Sequence, residues 1–123
     1  MARFVILTHD WPVPHWDFLA ERNGVLRAWR ILAEPRAGVD LVAEPNADHR
    51  LYYLDYEGPV SGGRGTVARF ESGTCEWIAD TATGAELAVR GSRFVGRVTI
   101  TLRGEGWVFR FAAEAESHEL GET

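Results

Sequence analysis

His9 and His15 bracket a short proline-bearing segment, His9-Asp10-Trp11-Pro12-Val13-Pro14-His15, and Asp17 follows two positions later. Residues two apart on a strand share a face, so His15 and Asp17 project together. His9 ends the preceding apolar run, and Pro12 and Pro14 limit how the connection folds back. A hairpin there brings two imidazoles and a carboxylate to one side of an ion, leaving positions open for water or substrate. Nitrogen and oxygen donors without a thiolate suit manganese, iron or zinc, and spacing does not choose among them. The competing reading makes the histidines surface residues and Asp10 and Asp17 turn or cap residues.

A second candidate group follows Asp48. If a strand starts at His49 and runs through Leu51–Tyr56, then His49, Leu51, Tyr53 and Asp55 share a face. A histidine and a tyrosine so placed could donate to a bound oxyanion; a polar pair at a barrel rim is the alternative. His118 falls in the acidic tail and is expected to face solvent. Gly58-Pro59-Val60-Ser61-Gly62-Gly63-Arg64-Gly65 lacks the lysine and following hydroxyl residue of a phosphate loop, so a wide turn is expected.

The elements that position these residues follow a period of two. Arg3–Thr8, His15–Arg22 and Val25–Leu32 are apolar or loosely alternating runs, and Asn23-Gly24 between the last two is a hairpin signal. Pro35, Gly38 and Pro45 predict an irregular connection over 33–48, with one short strand near Asp40–Ala43. Thr66–Glu71 and Thr74–Asp80 are expected to form a hairpin about Ser72-Gly73. Glu86–Arg90, Arg97–Arg103 and Trp107–Phe111 complete the strands, the last with three aromatics on one face. Short strands spaced near ten residues and cut by glycine turns predict one all-β domain, a sandwich or barrel.

Composition narrows the function classes. The 123 residues suit a single domain able to bury its own core, and the lone Cys75 excludes an intrachain disulfide framework or a multi-cysteine zinc site. No apolar stretch approaches a bilayer span, and the short apolar start lacks a cleavage pattern, so an intracellular, cytoplasmic protein without membrane contact is expected. The net charge is -5, but all 13 cations are arginine and Glu114, Glu116, Glu119 and Glu122 cluster in the tail. A near-neutral body can still carry a local arginine patch for phosphate.

Taken in order, these segments resemble the 3'-phosphoesterase domain of bacterial DNA ligase D and its stand-alone relatives. That family opens Phe-Val-x-x-x-His and places a second histidine six positions on, in a His-Tyr-Asp-Phe-Arg-Leu-Glu stretch. Here the counterparts are Phe4-Val5, His9-Asp10 and His15-Trp16-Asp17-Phe18-Leu19-Ala20-Glu21. Gly24-Val25-Leu26-Arg27-Ala28-Trp29 matches its Gly-Val-Leu-x-x-Trp strand. Asp48-His49-Arg50-Leu51-Tyr52-Tyr53 and Tyr56-Glu57-Gly58 match its Asp-His-x-x-x-Tyr and Phe-Glu-Gly motifs; Gly65-Thr66-Val67 and Gly73-Thr74-Cys75-Glu76 echo the strands that follow. The agreement runs from about residue 3 to residue 111.

The resemblance implies a compact single-domain β-barrel of about eight short, mostly antiparallel strands over residues 1–111, with an acidic tail at 112–123. It also implies a divalent metal, usually manganese, with zinc or iron as alternatives. The implied activity removes a 3'-phosphate or 3'-ribonucleotide from DNA or RNA–DNA ends during repair, with a DNA ligase or end-joining protein as the implied partner. By position, His9, His15 and Asp17 would hold the metal. His49 would contact the scissile phosphate and protonate the leaving oxygen, and Tyr53 would donate to the same group. Asp10 and Glu21 would be supporting polar residues. The chain departs from the pattern where family cations are expected, at Leu19, Ala33 and Leu41, and at Ala47 in place of an acidic residue. Arg30, Arg36, Arg50 and Arg64 are the candidate replacements for binding phosphate. The departures motivate a second hypothesis: a catalytically weak or inactive member that binds a nucleic-acid end or a repair partner. A third takes His15-x-Asp17 with His49 as the iron triad of a jelly-roll oxygenase.

Overall fold

The computed structural model describes residues 1–114. Among the described residues nine strands form a single antiparallel sheet: β1 Ala2–His9, β2 His15–Arg22, β3 Val25–Ile31, β4 Asp40–His49, β5 Gly58–Pro59, β6 Thr66–Thr81, β7 Gly84–Gly91, β8 Val95–Arg103 and β9 Gly106–Ala113. Their order is β1-β2-β3-β4-β9-β8-β7-β6, and β1 also pairs with β6. That last pairing closes an eight-stranded barrel, with the two-residue β5 added beside β6. The all-β barrel is therefore observed, as the resemblance implied.

Alternation along each strand sorts residues to the two faces of the wall. Phe4, Ile6, Phe18, Trp29, Leu87, Ile100, Phe109 and Phe111 form one buried cluster, and the strand registers carry that face around the ring as the barrel interior. Bulky side chains fill this lumen, as an eight-stranded barrel requires. The opposite parity on β1–β3 places Val5, Leu7, Leu19, Leu26 and Ala28 on the outside of the wall. They are buried nonetheless, because Leu54, Val67 and the partly buried Tyr53, Tyr56 and Val60 pack over them. The chain between β4 and β6 thus crosses the outer wall as a second, smaller layer.

The local structure departs from expectation in three places. Thr66–Glu71 and Thr74–Asp80 are not a hairpin. They are one continuous sixteen-residue strand, β6, whose first part pairs with β1 and whose second part pairs with β7. Gly73 is there for close approach rather than for a turn: a Cβ on it would collide with the Arg90 carbonyl oxygen. Leu51–Leu54 is a 3-10 helix, not a strand, so His49, Leu51, Tyr53 and Asp55 do not share a strand face. The predicted short strand near Asp40–Ala43 instead runs to His49. Its first four residues pair with β9, while later positions pair only with β3, which gives Pro45 a free edge on which its missing N–H is tolerated. The Asn23-Gly24 turn is as expected, with φ of 55° and 82°. No helix among the described residues is long and apolar enough to cross a membrane. His118 and most of the acidic tail lie outside the described residues.

Candidate metal centre and crevice

The outward parity that carries Val5 and Leu7 on β1 also carries His9, and on β2 it carries His15, Asp17 and Leu19. His9 pairs directly with His15 across the two strands, and their rings lie 4.8 Å apart. One donor atom from each of His9, His15 and Asp17 falls within 4.8 Å of the others. His9 is partly buried, while His15 and Asp17 are buried.

The tautomers define what this cluster can hold. His15 Nδ1 lies 2.8 Å from the Val13 carbonyl oxygen, and His9 Nε2 lies 2.9 Å from the Arg64 carbonyl oxygen. A carbonyl only accepts, so each of these ring nitrogens donates a proton to it. The remaining nitrogens, His9 Nδ1 and His15 Nε2, each stand 3.0 Å from a different oxygen of Asp17. Neutral rings would therefore aim two lone pairs at one carboxylate. For His15 the approach has an ion-pair distance without hydrogen-bond alignment, so Nε2 is a buried polar atom with no hydrogen-bond partner. Either added protons or a shared cation relieves this arrangement. A divalent cation fits the donor set: two imidazole nitrogens oriented by backbone carbonyls, and one carboxylate.

Electrostatics follow the same geometry. Burial opposes charge on His15, but Asp17 and the Val13 carbonyl outweigh it and hold the imidazole above its ordinary pKa, against a smaller opposing push from Arg30. Burial would raise Asp17, yet His15 and His9 outweigh it and hold the carboxyl below the usual carboxylate range.

The cluster borders a crevice of about 430 Å³ on the outer wall. Leu7, Val60 and Val67 give it apolar sides, while His9, Asp17, Arg30, Asp48, His49, Arg50, Tyr53 and Arg64 supply polar ones. His49 comes from the end of β4 and Tyr53 from the 3-10 helix, and their rings meet edge to face with centroids 5.6 Å apart. The two residues expected on one strand face thus reach the same crevice from consecutive elements. His49 Nδ1 donates to the Ala47 carbonyl at 2.9 Å, leaving Nε2 as the uncommitted nitrogen.

The other candidates divide. Arg30 stands opposite Asp17 in the β2–β3 register; its Nε is buried without a hydrogen-bond partner, and its nearest carboxylate contact is 4.0 Å, to Glu44. Arg50 lines the crevice with its guanidinium over the Tyr52 ring, 5.4 Å from the centroid. Arg64 is held by Ser61, through its carbonyl at 2.7 Å and its hydroxyl at 3.2 Å. Arg36 is exposed and does not line the crevice. Asp10 Oδ1 accepts from the Thr66 backbone N–H at 2.8 Å, tying the β1–β2 connection to the start of β6. Glu21 lies six residues beyond His15 on β2, about 20 Å along the strand, and accepts from the Arg3 backbone N–H at 3.1 Å. Leu19 is buried in the outer-wall cluster and Leu41 packs against the barrel interior, which accounts for apolar side chains at both positions. His49 lies outside the donor cluster, and a closed barrel replaces the double sheet of a jelly roll, so nothing here supports the oxygenase triad.

Two residues that shape the site were not singled out from sequence. Trp11 lines the crevice with 43% of its surface exposed. Gly65, at φ +79°, has no room for a side chain: a Cβ would overlap Asp10 Oδ1 and lie 2.6 Å from Trp11 Cβ. Its sequence signal was a glycine-rich stretch, which turn geometry alone explained.

The chain is similar to known proteins over most of its length. The chain is 33% identical over 115 residues to the multifunctional non-homologous end joining protein LigD of Mycobacterium bovis, covering 85% of this chain and 15% of that protein. It is 28% identical over 135 residues to the protein of the same name from Pseudomonas aeruginosa, covering 98% of this chain and 16% of that one. It therefore spans about a sixth of the length of these relatives. The sequence model of the DNA Ligase D 3'-phosphoesterase domain matches residues 7–113, which take in the His-His-Asp cluster and every crevice-lining residue, and the chain belongs to that family.

Proposed function

We propose that the crevice is a metal-dependent 3'-end-processing site that removes a 3'-phosphate or 3'-ribonucleotide from DNA or RNA–DNA ends during repair. One observation carries the reading: the His9–His15–Asp17 cluster opens onto the same cavity as an uncommitted histidine nitrogen, a tyrosine and three arginines. Manganese is the first candidate for the ion, with zinc or iron as alternatives. When bound, it would polarise a non-bridging phosphate oxygen and offset charge developing at phosphorus. The protein's own groups supply the rest. Arg30, Arg50 and Arg64 hold the phosphate by charge-assisted hydrogen bonds. Water attacks phosphorus as the bond to the ribose O3' breaks; His49, entering the step with a proton on both ring nitrogens, gives the Nε2 proton to O3' and takes one back from the attacking water, leaving a 3'-OH and inorganic phosphate. Tyr53 donates to the same phosphate group and packs against the His49 ring. Asp10 positions the β1–β2 connection through Thr66. Cations from β3 and from the layer over the outer wall would thus replace those expected at Leu19, Ala33 and Leu41. The relatives' name, non-homologous end joining, points to DNA ends and an end-joining ligase as partners.

Manganese-stimulated release of inorganic phosphate from a 3'-phosphorylated primer tests the reading. His9→Ala is expected to lower release about a hundredfold or more. Equal background rates in wild type and His9→Ala would remove the catalytic assignment. The apolar residues at 19 and 41 favour one alternative, a binding module without turnover. Absent phosphate release combined with DNA affinity that falls steeply with salt would select it.

A further inference from the structure

We propose that Trp11 is a stacking platform for the base of the 3'-terminal nucleotide, so that the crevice takes a strand end whose last base has left the duplex stack. The inference rests on the 3'-end reading above and adds the part of the substrate that the phosphate chemistry does not specify. Most large apolar rings in this protein are buried: Phe4 and Phe18 are no more than 1% exposed, and Trp29 is 4%. Trp11 keeps 43% of its surface in solvent while lining the wall of the crevice.

Its position is fixed rather than incidental. Asp10, the preceding residue, is bonded to the Thr66 backbone, and the bare Cα of Gly65 lets the β5–β6 connection close against Trp11 Cβ. With the backbone and Cβ held this way, only the two side-chain torsions of the tryptophan remain to be ordered when a ligand covers the ring. The charges beside it define the ligand. Arg30, Arg50 and Arg64 line the same cavity. Its two carboxylates are partly offset, Asp17 by two imidazoles at 3.0 Å and the exposed Asp48 more weakly, with Arg27 Nε 3.8 Å away. The complementary ligand is anionic at one end and flat and apolar at the other, as a nucleotide is. About 430 Å³ is the size of a small-ligand site. Every base has a π-face, so stacking demands a base without choosing which one.

Fluorescence anisotropy tests this with a 5'-labelled, 3'-phosphorylated single strand and the same strand carrying an abasic residue at its last position. Wild type is expected to bind the base-bearing end about tenfold more tightly or better. Trp11→Ala should bring that ratio close to one, and Trp11→Phe should restore most of it. The salt dependence should stay unchanged in both, because the phosphate contacts are intact. A ratio of one in wild type, or one that survives Trp11→Ala, overturns the proposal. Wild-type self-association abolished by Trp11→Ala also overturns it, because a second copy then covers the ring. Phosphate release is measured on the same preparations. Base discrimination without release supports the stacking role and rejects the phosphoesterase reading separately.

Discussion

A methyl group at position 65 has nowhere to go. Gly65 holds φ at +79°, and the space beside its Cα is taken by the Asp10 carboxylate and Trp11 Cβ. The adjacent Arg64 carbonyl receives the His9 Nε2 proton, so displacing this connection would release the ring that presents Nδ1 to Asp17. Gly63 is the natural control, with φ +69° and nothing within 4 Å of an added Cβ. Each alanine carries the left-handed backbone penalty of about 1–2 kcal/mol. Gly65→Ala is expected to lose at least about 1 kcal/mol more than Gly63→Ala in denaturant unfolding, because overpacking adds to that penalty. It should also lower phosphate release, while Gly63→Ala should leave release near wild type; equal effects would remove the positioning role. The convergence of His9, His15 and Asp17 is legible in sequence because parity and one short connection determine where they point. The role of Gly65 is not, because a glycine in a glycine-rich loop looks the same whether it serves a turn or a close approach.

Among the elements, β6 organises the most structure from one strand. It closes the barrel against β1 and then passes to β7, and between those roles it places the buried Glu71 under the β7–β8 connection. Glu71 accepts from Ser72 N–H, Ser92 N–H and hydroxyl, Arg93 N–H and Phe94 N–H at 2.6–3.2 Å. Gly91 has no Cβ because that carboxylate fills the space, at 2.7 Å from where a Cβ would be. Burial would raise Glu71, but the Ser92 hydroxyl and the Phe94, Arg93 and Ser72 amides outweigh it and hold its pKa below the ordinary 4.5. The depressed value means the stabilisation is complete above the unfolded-state pKa and fades as pH falls through the folded one. Glu71→Gln replaces an acceptor with an amide that cannot satisfy all these donors. It is expected to cost about 3 kcal/mol at neutral pH, measured by urea unfolding. The gap between wild type and variant should narrow below about pH 4.5; a gap independent of pH would show that the carboxylate's charge plays no part. Alternation identified both halves of this strand. Their continuity was hidden because Ser72-Gly73 carries a turn's composition, and only pairing with distant strands reveals that Gly73 serves a close crossing with Arg90. Leu51–Leu54 failed for a related reason: an aromatic run satisfies strand preference, but its burial comes from packing across another strand layer rather than from pairing.

The whole molecule separates stability from chemistry by the two sides of one wall. Aromatic and aliphatic side chains fill the lumen, and the crevice lies outside, where the 50–65 segment covers part of β1–β3 and its Arg64 carbonyl reaches His9. An ion bound there would join β1 to β2 through three side chains and would bind the folded chain alone, so metal affinity must appear as folding stability. Manganese at about 100 times its dissociation constant corresponds to about 2.7 kcal/mol. At about 3–5 °C per kcal/mol for a domain of this size, the midpoint of thermal unfolding should rise by roughly 10 °C. The rise should vanish in Asp17→Asn and His9→Ala, whatever their midpoints without metal. It should survive in Trp11→Ala and His49→Ala, because those side chains line the crevice without belonging to the donor cluster. Asp17 holds the His15 proton above its ordinary affinity, so a cation must displace that proton and the thermal shift should shrink as pH falls. A shift of the same size in wild type and Asp17→Asn would place the ion elsewhere and leave the His-His-Asp cluster a protonated ion pair at the barrel wall.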